Sequence, residues 1–181
     1  MFYSGIILFF GVHLVPLNKN LKTIVRTRLG EGTYLGLFSF FSLTGILLII
    51  IGYESSQNFL YSIHGKAFQY SKYFMVLSIT LLIAANLPTY IKKYSKHPMS
   101  LGIALWSTLH LLTNSDLISV ILFSSFLIYT VISVLASEKK NLETNEPIPR
   151  IIFDILAVVL GTSLTILAFN FHYYLSGVSL V

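Results

Sequence analysis

Apolar residues along this chain come in long blocks separated by short polar stretches. Six blocks stand out, at 1–17, 33–53, 73–90, 99–113, 117–136 and 151–171. The second, third, fifth and sixth approach the ~20 residues that a hydrocarbon core of ~30 Å requires. The first and fourth are shorter, which predicts helices that tilt little or are shielded by neighbours. The pattern therefore predicts an all-α, polytopic integral membrane bundle of six transmembrane helices. It forms a single domain over 1–181, with the lipid bilayer as its first partner.

Composition supports that class, since 55% of the residues are hydrophobic and only 10% are charged. The absence of cysteine excludes disulfides, iron–sulfur clusters, thiolate zinc sites and cysteine nucleophiles. The net charge of +5 could suggest nucleic acid, but the basic residues sit between the apolar blocks, so nucleic acid is not the expected partner. In a six-helix arrangement Lys19, Lys22, Arg26, Arg28, Lys92, Lys93, Lys96, Lys139, Lys140 and Arg150 fall on one side. Only Lys66 and Lys72 of the 12 basic residues fall on the other. The positive-inside rule then puts both termini on the non-cytoplasmic side. The first block lacks a basic leader and a small-residue cleavage site, and is expected to remain as a helix. Residues 137–150, with mixed charges and two prolines, read as a solvated loop, and His64 in YSIHGKAF reads as surface.

Polar and ionisable side chains inside a membrane usually face the bundle interior, so they are the informative ones. In the fourth block Gly102, Trp106, His110 and Asn114 recur at i, i+4 and share one stripe, with His97 at its mouth. Gly102 would admit a neighbouring helix or a flat ligand. His110 offers ligation or a hydrogen bond, and Asn114 reads first as a cap for the following helix. In the first block His13 lies among Phe9 and Phe10, three residues before Pro16, and two readings stand side by side. It is a ligand, or it bonds the backbone freed by Pro16. In the sixth block Asp154, Gly161, Thr165, Ala168 and His172 form a narrow small or polar face suited to helix packing. Gly32 and Gly36 form a GxxxG spacing, a weak signal.

No paired-carboxylate face, P-loop or dinucleotide fingerprint is present. What remains is a histidine-rich, apolar interior without thiols. It suits an apolar small-molecule ligand, above all a haem held by imidazole.

The stretches GVHLVP, RTRLGEGTYLGLFSFFSLTG, KHPMSLGIALWSTLHLLTNSD and FHYYLSGV together resemble the NnrU family of bacterial membrane proteins, to which the plant zeta-carotene isomerase is related. The resemblance implies a multi-pass protein of the bacterial inner membrane, linked to nitrogen-oxide metabolism in denitrification. Through the isomerase branch it implies haem b and a redox-dependent cis–trans isomerisation of a polyene. It carries the haem-ligand histidines onto His13 and His110, with Trp106 and Gly102 shaping the slot. The isomerase branch has a cysteine where this chain has Ser107, which cannot act as a thiolate. Depth in the six-helix arrangement instead pairs His13 with His97 and His110 with His172, because His110 lies ~20 Å along its helix from the basic side. A non-enzymatic factor assisting assembly of a respiratory reductase is the alternative. The KHP motif also resembles the RHP motif of membrane methyltransferases using S-adenosylmethionine, although the acidic and aromatic segment that completes their site is missing.

Overall fold

The computed structural model of the chain describes residues 1–54, 56–63, 65–138 and 147–176. His64, Lys139 and Lys140 lie outside them. The described residues form helices α1 (Phe2–Leu14), α2 (Lys19–Leu29), α3 (Glu31–Gly52), α4 (Gly65–Ala84), α5 (Tyr90–Tyr94), α6 (Pro98–Thr113), α7 (Leu117–Glu138), α8 (Ile151–Asn170) and α9 (His172–Ser176). The one β feature among them is an isolated bridge between Phe59 and Asp116.

Four helices, α3, α4, α7 and α8, are long and apolar enough to cross a membrane. Helices α1 and α6 are shorter, at 13 and 16 residues. Burial is inverted relative to a protein in water. The largest fully buried side chains are Thr89, Ser78, Ser107 and Ser119, while Phe40, Ile51, Val159 and Ile166 are more than half exposed. Small and polar residues at helix contacts, with apolar residues outside, are what a lipid solvent selects. The chain is a multi-pass membrane protein.

The chain divides into two compact units, the first built on residues Met1–Glu54 and the second containing Ser55–Val134 and the C-terminal helices. In the first, α1 and α3 run antiparallel with their backbones in contact at glycines. A Cβ on Gly5 would lie 2.7 Å from the Ile49 nitrogen, one on Gly45 would lie 2.8 Å from the Phe9 nitrogen, and one on Gly52 would strike the Phe2 nitrogen. Gly32 and Gly36 have nothing within 4 Å, so the GxxxG spacing is not the contact that joins these helices. After α1 the chain passes Pro16 and turns by 97° into α2. The Asn18 side chain accepts from the Leu21 N–H to start α2. Gly30, at φ +80°, ends it by adopting a backbone conformation that favours glycine.

In the second unit α4 packs against both α6 and α8. The Ser78 hydroxyl donates to the Gly102 carbonyl at 2.8 Å, and Thr80 fills the space beside Gly161. Asp154, Ala157, Gly161 and Thr165 form the buried face of α8, as its small and polar pattern suggests, but Ala168 is exposed. Helix α4 begins eight residues before the apolar block at 73–90 and ends six residues before its end. Its first two turns contain Lys66, Gln69 and Lys72, which lower hydropathy without opposing helix formation. Pro88 bounds its far end, because a continued helix would bring the proline ring against the Ala84 carbonyl. That carbonyl accepts the Thr89 hydroxyl instead. Thr89 caps α5, and Asp154 accepts from the Tyr90 and Ile91 N–H groups at 3.0 Å each. At the opposite end of α6, Leu60 N–H donates to Ser115, Leu117 N–H donates to Asn58, and the Tyr61 hydroxyl donates to the Leu111 and Asn114 carbonyls.

Candidate functional site

Helix α6 holds His110 one turn beyond Trp106, and its Nδ1 lies 2.9 Å from the Trp106 carbonyl oxygen. A carbonyl only accepts, so the Nδ1 carries a proton, and in the neutral ring this leaves the lone pair on Nε2. This is the arrangement in which an imidazole binds metal through Nε2 while its other nitrogen is held by a fixed partner. Helix α7 supplies the walls. Phe123 stacks on His110 with ring centres 4.3 Å apart and 27° between planes, and Trp106 meets Phe123 and Phe126 edge to face at 5.0 and 5.2 Å. His172, the first residue of α9, places its ring centre 6.4 Å from that of His110 with 21° between planes. His110 and His172, which depth places at one level, lie near each other in the second unit.

The other residues of the α6 stripe have structural partners. The space beside Gly102 is filled by Leu82 and the Ser78 carbonyl, so this glycine permits close packing of α6 on α4. Asn114 ends α6, its amide donating to the His110 carbonyl at 3.0 Å and to the Thr113 hydroxyl. The cap of α7 is Asp116, which accepts from the Ser119 N–H, so the sequence reading placed the right kind of cap two residues early. Ser107 is fully buried, and its hydroxyl has no hydrogen-bond partner among the described residues. His97 is at the N-cap position of α6. Thirteen residues of helix, or about 20 Å, separate it from His110.

His13 sits in the first unit in a similar setting. Its Nδ1 lies 2.7 Å from the Phe9 carbonyl oxygen, so it too carries its proton on Nδ1, and its ring lies 4.2 Å from Phe9 and 5.0 Å from Phe38 of α3. The carbonyl it bonds is that of Phe9, one turn back, rather than one freed by Pro16.

No group of three or more histidine, cysteine, aspartate or glutamate side chains among the described residues could hold a metal ion. A metal site made of protein ligands alone thus lacks its donors there, whereas a macrocycle that brings four of its own needs only one or two imidazoles. Phe38, Phe123 and Phe126 were missed from sequence. The i, i+3 spacing of Phe123 and Phe126 on an otherwise aliphatic helix was the available signal. No curated protein and no solved structure matches the chain. The profile of the family described as NnrU protein matches residues 1–180, across all of these helices and histidines, and the chain belongs to the NnrU family.

Proposed function

We propose that this membrane protein binds haem b in its second unit, with the His110 Nε2 as iron ligand and His172 as the second imidazole. The observation that carries the reading is the His110–His172 pair bordered by Trp106 and Phe123. Their ring centres lie 6.4 Å apart, so both imidazoles are within reach of one bound group. The bound group would supply a one-electron redox centre. The chain's own part is to fix the His110 tautomer through Trp106, to exclude water with Phe123 and Phe126, and to keep the neighbourhood free of thiolate through Ser107. An apolar substrate entering from the lipid suits such a site. This supports a redox-linked step on a polyene, or a role in nitrogen-oxide metabolism that handles a small neutral species such as nitric oxide. The reading includes six membrane-crossing segments, with α1 and α6 as the short ones, both termini on the non-cytoplasmic side, and residence in the bacterial inner membrane.

The test is the visible spectrum, oxidised and dithionite-reduced, of protein purified after haem-replete expression. The expected result is a Soret band with sharp reduced bands, lost in His110→Ala and shifted towards a five-coordinate form in His172→Ala. Loss in His13→Ala with an unchanged His172→Ala spectrum would replace this pair by the one the family resemblance implies. A colourless wild-type protein would refute haem binding.

A further inference from the structure

Residues 18–32 lie between the first two apolar blocks, and most of them fold as α2, whose setting gives it a binding surface. Helix α1 packs antiparallel on the membrane-spanning α3, and α2 leaves it at 97°. It rejoins α3 at Gly30, three residues before the apolar block at 33–53 begins. A helix turned across a spanning helix at the end of its apolar stretch lies along the membrane surface. Within α2, Lys22, Val25 and Arg26 are half-buried, while Leu21, Ile24 and Arg28 lie on one exposed face at i, i+3 and i+7. Leu21 and Ile24 are 42% and 49% exposed, so that face presents apolar surface with an arginine set into it. The helix contains Lys19, Lys22, Arg26 and Arg28 and no acid. Only Arg26 has an acidic partner among the described residues, Glu31. The Thr23 and Thr27 hydroxyls bond to the helix's own carbonyls, which suits a medium poor in water.

We infer that α2 is an in-plane interfacial helix that binds anionic phospholipid headgroups, with Leu21 and Ile24 entering the acyl boundary and Lys19, Lys22 and Arg28 contacting the phosphates. An apolar face that holds Arg28, on a helix whose other sides carry Lys19 and Lys22, matches a negatively charged bilayer surface in both chemistry and charge. A long arginine or lysine side chain reaches the headgroups while its stem stays in the apolar layer.

Amide hydrogen exchange of the full-length protein tests this in nanodiscs of phosphatidylcholine alone and of phosphatidylcholine mixed with phosphatidylglycerol. The amides of α2 exchange more slowly in the anionic discs, and added salt removes the difference. Each cation near a charged surface strengthens binding about fivefold, so the triple variant Lys19→Gln, Lys22→Gln, Arg28→Gln lowers the ratio between the two discs by at least about tenfold. Exchange of α3 stays unchanged and reports an intact fold. The double variant Leu21→Ser, Ile24→Ser exchanges faster in both discs yet keeps its preference for the anionic one. Equal exchange of wild-type α2 in the two discs would overturn the inference. So would full protection in neutral discs by added inorganic phosphate, which would assign the site to a free anion.

Discussion

Gly45→Ala tests whether the first unit is joined backbone to backbone. The added Cβ would lie 2.8 Å from the Phe9 nitrogen and 2.9 Å from its Cα. These are main-chain atoms of a helix, which no rotamer change can move aside. Reaching the 3.4 Å of ordinary contact requires α1 to withdraw by about 0.6 Å along its length, loosening the Gly5 and Gly52 contacts as well. Overpacking of this kind costs about 1–3 kcal/mol, and the better helix propensity of alanine returns at most about 1 kcal/mol. The net expectation is a loss of up to about 3 kcal/mol, and a difference of about 1–3 kcal/mol from a glycine-to-alanine change that meets no neighbour. Gly36→Ala is the control, because nothing lies within 4 Å of that position. The propensity gain is unopposed there, and stability should hold or rise by up to about 1 kcal/mol. Reversible unfolding by sodium dodecyl sulfate in mixed micelles, followed by circular dichroism, gives both differences. A Gly45→Ala protein as stable as Gly36→Ala would refute glycine-mediated contact between α1 and α3.

Asp154→Asn keeps one acceptor but sets an amide N–H against a backbone N–H at α5. Charge-assisted hydrogen bonds are worth about 1.5–3 kcal/mol, so Tyr90 and Ile91 should exchange amide hydrogen markedly faster while α8 exchange is unaltered. Tyr61→Phe removes the hydroxyl that ties residues 56–63 to the end of α6. Exchange at Leu60 should rise, with a stability loss of about 1 kcal/mol or less, since the residue is partly exposed. Burial, and then the nearby Asp116 carboxylate, raise the Tyr61 phenol above its ordinary 10.0. A raised folded-state value means that the tie is fully present below pH 10 and is lost as pH climbs through the higher value. Tyr61→Phe should lack that alkaline loss, as a pH series of thermal unfolding would record.

Much of this protein follows from sequence alone. Apolar blocks near the span of a bilayer, almost no charge within them and no cysteine fix a helical multi-pass membrane protein. Polar residues too costly to leave in lipid single out His13, His110 and Asp154 as residues needing partners. Which partners they take was decided by tertiary structure. A membrane helix is apolar on nearly every side, because lipid and protein interior are alike in polarity, so hydropathy marks its length but not its contact face. Packing then rests on where backbones can approach, and that selected Gly45 and Gly52 over the Gly32–Gly36 spacing, and Leu82 as the occupant beside Gly102. The turn at Pro16 that sets α2 at 97° to α1, the capping of α5 by Asp154, and the meeting of His110 with Phe123 and His172 join residues distant in sequence or depend on the direction of the chain. No local pattern encodes those contacts. Only the folded units bring them together.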